Sequence, residues 1–106
     1  MGLSSFWHNR QVNQEEATRV LDGVVAELRR ETHKTLVARY LDESDGRTVV
    51  AESGVEYQVE VQGLWDDPRQ EGNLRVIISI DDGGWRAFNP LATSFIVASD
   101  GSFVGE

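Results

Sequence analysis

At 106 residues with 40% apolar content, the chain can bury one hydrophobic core and is too short for two comfortable domains. A formal net charge of −8 argues against nucleic-acid binding, which needs a clustered basic face. The absence of cysteine excludes disulfides, thiolate nucleophiles and Cys-ligated metal.

The opening MGLSSFWHNR lacks the basic and apolar regions of a secretory signal. It also places Phe6 where a myristoylation signal carries Ser or Thr. No run of about 18 apolar residues is present to span a membrane, so a cytoplasmic address is expected. Residues 1–12 read as an N-terminal arm, in which Phe6 and Trp7 either tuck across a sheet edge, the favoured reading, or stay exposed as an anchor. Residues 13–106 read as one domain.

In NQEEATRVLDGVVAELRRE the apolar residues Ala17, Val20, Leu21, Val24, Val25 and Leu28 recur every three or four positions and predict an amphipathic helix. Asn13 is the expected N-cap, with Glu16 three residues on. Glu15 and Glu16 suit one end of the helix dipole, and Arg29 and Arg30 the other. Gly23, in mid-helix, costs about 1 kcal/mol relative to Ala, and close packing is one reason to keep it. The segment THKTLVARYLDES fits a short second helix over 35–42 through Leu36, Val37, Tyr40 and Leu41. Its alternation also permits a strand.

After Gly46 the period becomes two. Thr48 to Ala51 predicts a short strand turned at Ser53-Gly54. Val55, Tyr57, Val59, Val61 and Trp65 share one face of the next strand, and Glu56, Gln58, Glu60 and Gln62 the other, the mark of a half-buried antiparallel strand. Gly63 suggests a bulge. Leu74, Val76, Ile78 and Ile80 point inward on the strand after that. Trp85 to Phe88, Thr93 to Ala98 and a short piece around Phe103 and Val104 complete the series, between turn-rich links such as DDPRQEGN, DDGG and SDGS. The expected fold is α+β: a long N-terminal amphipathic helix, plus a short second one, packed on an antiparallel β-meander of about five strands.

Such a meander scatters the acids. Asp66 and Asp67 fall at one end with Asn89 and Pro90; Glu52, Asp81, Asp82 and Asp100 are expected to gather at the other as an acidic rim. Adjacent aspartates in a strand point to opposite faces, so Asp81-Asp82 is poorly placed to share a proton. The ten residues DDGGWRAFNP lack the alternate acids and closing Glu of an EF-hand loop. His8 and His33 have no second ligand at metal spacing, and His33 near a helix end suits the dipole. No phosphate-cradling glycine loop is present. No catalytic, metal or cofactor residues are therefore assigned, no cofactor is expected, and the balance leans away from an enzyme.

Trp65 is expected in the core, and Trp85 at the sheet rim. Leu64, Ile77, Phe88 and Ile96 fall on the sheet face opposite the long helix, and four apolar residues on neighbouring strands make a patch. Either the short helix or the N-terminal arm covers that patch, or it is an interface. The C-terminal half is the acidic one, since residues 54–106 carry 3 basic and 9 acidic side chains. The leading functional expectation is a non-enzymatic interaction module, regulatory or immunity-like, that docks a protein partner or a second copy of itself, with no nucleic acid and no membrane involved. The alternative is a small-molecule or enzymatic domain with a pocket between helix and sheet near Tyr57, Trp65 and Asp66.

The segment WRAFNPLATSFIVASDGSFVGE resembles the C-terminal end of small uncharacterised bacterial domains. The likeness rests on its aromatic-Asn-Pro run, SFIV strand, DGSF turn and final GE, about a fifth of the chain. That resemblance implies no catalytic residues. The order of helix then meander is similar to cystatin-like and nuclear-transport-factor-like folds, which host inhibitors, binding modules and some enzymes.

Overall fold

In the computed structural model, residues 3–81 and 91–106 are described, with side chains from residue 14 onward. The first helix, α1, runs Leu3–Leu28, ten residues earlier than the expected cap at Asn13. Nothing between Leu3 and Asp22 is Pro or Gly, so no residue breaks the helix, and Asn13 is an interior position instead of a cap. The stretch read as an arm therefore belongs largely to α1; the side chains of Phe6 and Trp7 lie outside the described residues. From Glu16 onward α1 buries Ala17, Leu21, Val24 and Leu28, the stripe that the three-four spacing requires. Gly23 is exposed, and a Cβ built there meets nothing within 4 Å, so packing does not account for it.

The segment with two readings is a helix. In α2, His33–Tyr40, Thr32 caps the start by accepting the Thr35 N–H at 3.1 Å. Leu36 and Tyr40, four apart, are its buried residues. Asp42 then adopts the left-handed conformation, φ 57°, and the chain enters the sheet.

Among the described residues four strands follow: β1 Ser44–Val50, β2 Glu56–Asp67, β3 Gln70–Asp81 and β4 Leu91–Val97. All pairings are antiparallel, in the order β1-β2-β3-β4. The class is α+β as expected, with four strands among the described residues where about five were read. The strand expected at Trp85 to Phe88 lies outside the described residues, and β4 pairs directly with β3, Leu74 opposite Val97 and Ile80 opposite Leu91. The last expected strand is reduced to a bridge between Val97 and Phe103.

The core lies between sheet and helices. Tyr57, Val59 and Val61 of β2, Leu74, Val76, Ile78 and Ile80 of β3, and Phe95 and Val97 of β4 are buried against the α1 and α2 residues. Alternation along β2 and β3 is that of strands with one wet face. α1 packs on β3 and β4, and α2 on β2 and β3. Gly63 does not mark a bulge; the register is continuous through it and shifts between Trp65 and Asp67. Its lack of a side chain serves a close crossing, because a Cβ there comes within 3.1 Å of the Tyr40 backbone. Asp42 donates its N–H to the Gly63 carbonyl at 2.9 Å, tying the end of α2 to the sheet.

Candidate interaction face

Because both helices lie over the core side, the other sheet face is set by strand register alone. Leu64, Arg75 and Ile96 form one transverse row, and Gln62, Ile77 and Ser94 the next. Ile77 is thus diagonal to both Leu64 and Ile96, a separation that long side chains bridge in a sheet. All three are half-buried and point away from the helices. Phe88, the fourth residue expected there, lies outside the described residues.

Arg75 is fixed between Leu64 and Ile96. Its Nη2 and Nε donate to Asp66 Oδ1 at 2.8 and 3.1 Å, and Nη1 donates to Ser94 Oγ at 3.3 Å. The held guanidinium leaves its aliphatic stem alongside the apolar residues of the row. Toward the other end the face turns acidic and amide-rich. Glu60, Ser79 and Ala92 make one row, and Gln58 pairs with Asp81. A hollow of about 420 Å³ opens there, with Gln58, Glu60, Ser79 and Asp81 among its walls. Ser44 Oγ donates to Glu60 Oε2 at 2.6 Å, and Thr48 Oγ1 to Gln58 Oε1 at 3.2 Å.

The expected acidic rim does not assemble. Glu52 in the β1–β2 turn and Asp81 at the end of β3 share one end of the sheet; Asp82 lies outside the described residues. Asp100 is at the opposite end. The chain passes from β3 to β4 as neighbours, so the turn after β4 lies beside Leu74 and not beside Ile80. There Asp100 Oδ1 accepts the Ser102 N–H at 2.9 Å and the Ser102 hydroxyl at 2.6 Å. These bonds, the hydroxyl foremost, hold its carboxyl below the ordinary carboxylate value. Asp100 locks a turn.

Nor do Tyr57, Trp65 and Asp66 surround a cavity. Tyr57 and Trp65 share the helix-side face but sit about eight residues apart on β2, roughly 26 Å along an extended strand, while Asp66 belongs to the opposite face beside Arg75. The half-buried Trp65 stacks on His33 with ring centroids 6.3 Å apart, and His33 Nε2 donates to the Gly72 carbonyl at 2.6 Å.

The helix–sheet seam does hold one buried carboxylate that sequence reading assigned to a helix cap. Glu16 is 7% exposed; its Oε1 accepts Ser53 Oγ at 2.6 Å and Tyr57 Oη at 3.0 Å. The Ser53 bond, then the Tyr57 bond, lowers its pKa against the opposing effect of burial. A signal for it existed: Glu16, Val20 and Val24 recur at helical spacing on the buried side of α1. Among the described residues no histidine joins the cluster, His33 being bound elsewhere, and Ser53 gives its proton toward an ionised acid, so the arrangement is a polar latch. Among the described residues, no three His, Asp or Glu side chains converge as a metal site, and no helix is long and apolar enough to cross a membrane.

No protein-family model, curated protein or solved structure matches the chain. The surface that both helices leave uncovered is therefore read from its own chemistry.

Proposed function

We propose that the chain is a non-enzymatic protein-interaction module whose outer sheet face docks a basic partner protein. The single observation behind this reading is the placement of both helices on one side of the sheet. It leaves Leu64, Ile77 and Ile96 outside the core, next to Asp66 and on the same face as Glu56, Glu60 and Asp81. An apolar centre flanked by charge is the ordinary anatomy of a docking surface. The acid excess of residues 54–106, 9 against 3, selects a basic partner, and electrostatic complementarity favours encounter with it. The alternative pocket between helix and sheet loses support, because Tyr57, Trp65 and Asp66 do not share a cavity.

The test is an NMR titration of the full chain with a short peptide of alternating lysine and leucine. Shifts are expected to concentrate on the rows of Leu64, Ile77, Ile96 and Glu60, with affinity falling as salt rises. Ile77→Glu is expected to abolish those shifts while the melting curve stays within about 0.5 kcal/mol of the parent. Shifts confined to the helices, or binding unaffected by Ile77→Glu, overturn the reading. So does unfolding of Ile77→Glu, which would make that face part of the core.

A further inference from the structure

The sheet has two margins, and they are finished differently. On β4, residues 98–104 fold back over the edge: Val104 donates its N–H to the Ile96 carbonyl at 2.9 Å, and Ala98 to Ser102 at 2.8 Å. β1 ends the strand order on the other side. It runs for seven residues in unbroken register with β2, from Ser44 opposite Gln62 to Val50 opposite Glu56. It contains no proline, no bulge and no left-handed residue. Natural sheets blunt an edge with proline, bulges or charged side chains, and of these β1 carries only the charges Asp45 and Arg47. Ser44, Asp45, Gly46, Thr48 and Val50 are exposed, Val50 at 63%.

The direction of its backbone groups follows from the turn. Ala51 donates its N–H to the Val55 carbonyl at 2.9 Å, so the odd-numbered residues of β1 turn their hydrogen bonds toward β2. By the alternation of an antiparallel ladder, Ser44, Gly46, Thr48 and Val50 direct theirs outward.

We propose that this margin is a self-recognition strand, through which two copies of the chain pair antiparallel about Gly46 and join their four-stranded sheets into one. Centring the pair on Gly46 sets outward-directed groups against outward-directed groups, Gly46 opposite Gly46 and Ser44 opposite Thr48. The intervening pairs, whose side chains approach most closely, are then Asp45 opposite Arg47, twice by symmetry. Moving the centre to Arg47 sets two guanidiniums against each other, and like charges directly opposite are destabilising. A Cβ built on Gly46 would meet nothing within 4 Å, so two backbones meet there without obstruction. Among the described residues, α1 and α2 pack chiefly on β2, β3 and β4. Arg47 is already oriented on the helix side of β1, with Nη2 donating to Tyr40 Oη at 3.2 Å and Nη1 3.7 Å from Glu27. This is a different surface from the docking face, and its failure would leave that reading standing.

The experiment is sedimentation velocity of the full chain over a concentration series. The parent is expected to reach the mass of two chains as concentration rises. Asp45→Arg alone sets Arg against Arg, and Arg47→Asp alone sets Asp against Asp, so each is expected to remain monomeric. Mixing the two variants restores opposite charges in both pairs and is expected to restore the dimer. Thr48→Pro removes an outward N–H that no β2 group uses, and is expected to abolish pairing with the circular dichroism spectrum retained. A parent that stays monomeric at every concentration overturns the proposal, as does a dimer indifferent to Thr48→Pro. Failure of the mixed charge variants to reassociate overturns it too, even if Thr48→Pro fails to fold.

Discussion

Glu16 joins three parts of the molecule through one oxygen: α1 carries it, the β1–β2 turn supplies Ser53, and β2 supplies Tyr57. The folded state keeps this carboxyl ionised below its ordinary value of 4.5, so the unfolded chain binds more protons as acidity rises. Its contribution to stability is complete above the unfolded pKa and is lost as pH falls through the folded one. The urea midpoint of the parent is expected to fall on acidification below about pH 4.5, and Glu16→Gln to start lower at neutral pH and fall less steeply. Glu106, held below its ordinary value by Arg29, and Asp100, held by Ser102, contribute in the same direction. The variant therefore keeps part of the slope; an unchanged slope would remove Glu16 from this role. Gly23 works in the opposite sense. It is exposed within α1 with open space around it, and Gly23→Ala is expected to raise stability by about 1 kcal/mol, read as a higher melting temperature.

At the scale of elements, the crossing of α2 over β2 depends on Gly63. A methyl group there meets the carbonyl carbon, the oxygen and the Cβ of Tyr40 at 3.1 Å, and Tyr40 is itself fully buried. Gly63→Ala is expected to cost about 1–3 kcal/mol, visible as a lower urea midpoint. Sequence alone pointed to the glycine but not to its reason, because a bulge and a close crossing ask for the same residue. The alternations Tyr57-Val59-Val61 and Leu74-Val76-Ile78-Ile80 were legible because one face of each strand is dry and the other wet. The beginning of α1 was not legible. Asn13 is a good cap, but capping preference is weak against a run with no helix breaker. The outer-face positions of Leu64, Ile77 and Ile96 followed from parity. The place of Asp100 did not, because one strand more or fewer moves the final turn to the other end of the sheet. Glu16 was hidden by its own usual role: an acid near an expected helix start reads as a dipole partner, and only tertiary pairing with Ser53 and Tyr57 shows it to be buried.

For the whole molecule, both helices lie on one face of the sheet, and among the described residues no helix covers the other face. α1 and α2 take the apolar faces of β2, β3 and β4. The other layer is a single sheet surface that mixes aliphatic residues, Leu64, Ile77 and Ile96 among them, with carboxylates and amides. Residues 102–106 close the upper corner: Arg29 lies 3.9 Å from the centre of the Phe103 ring and donates to Glu106 Oε2 at 3.0 Å, while Phe103 meets Phe95 edge-on with centroids 5.8 Å apart.

That corner limits growth. A fibre of this fold needs the β4 margin as well as β1, for example by laying β1 along β4 of the next molecule, a head-to-tail contact that repeats without closing. The strip from Ser102 to Val104 already occupies the hydrogen-bonding groups at Ile96 and Ala98 that such stacking would consume. Joining through β1 uses up that margin in both molecules and leaves at each far side a β4 whose end, at Ile96 and Ala98, is already taken.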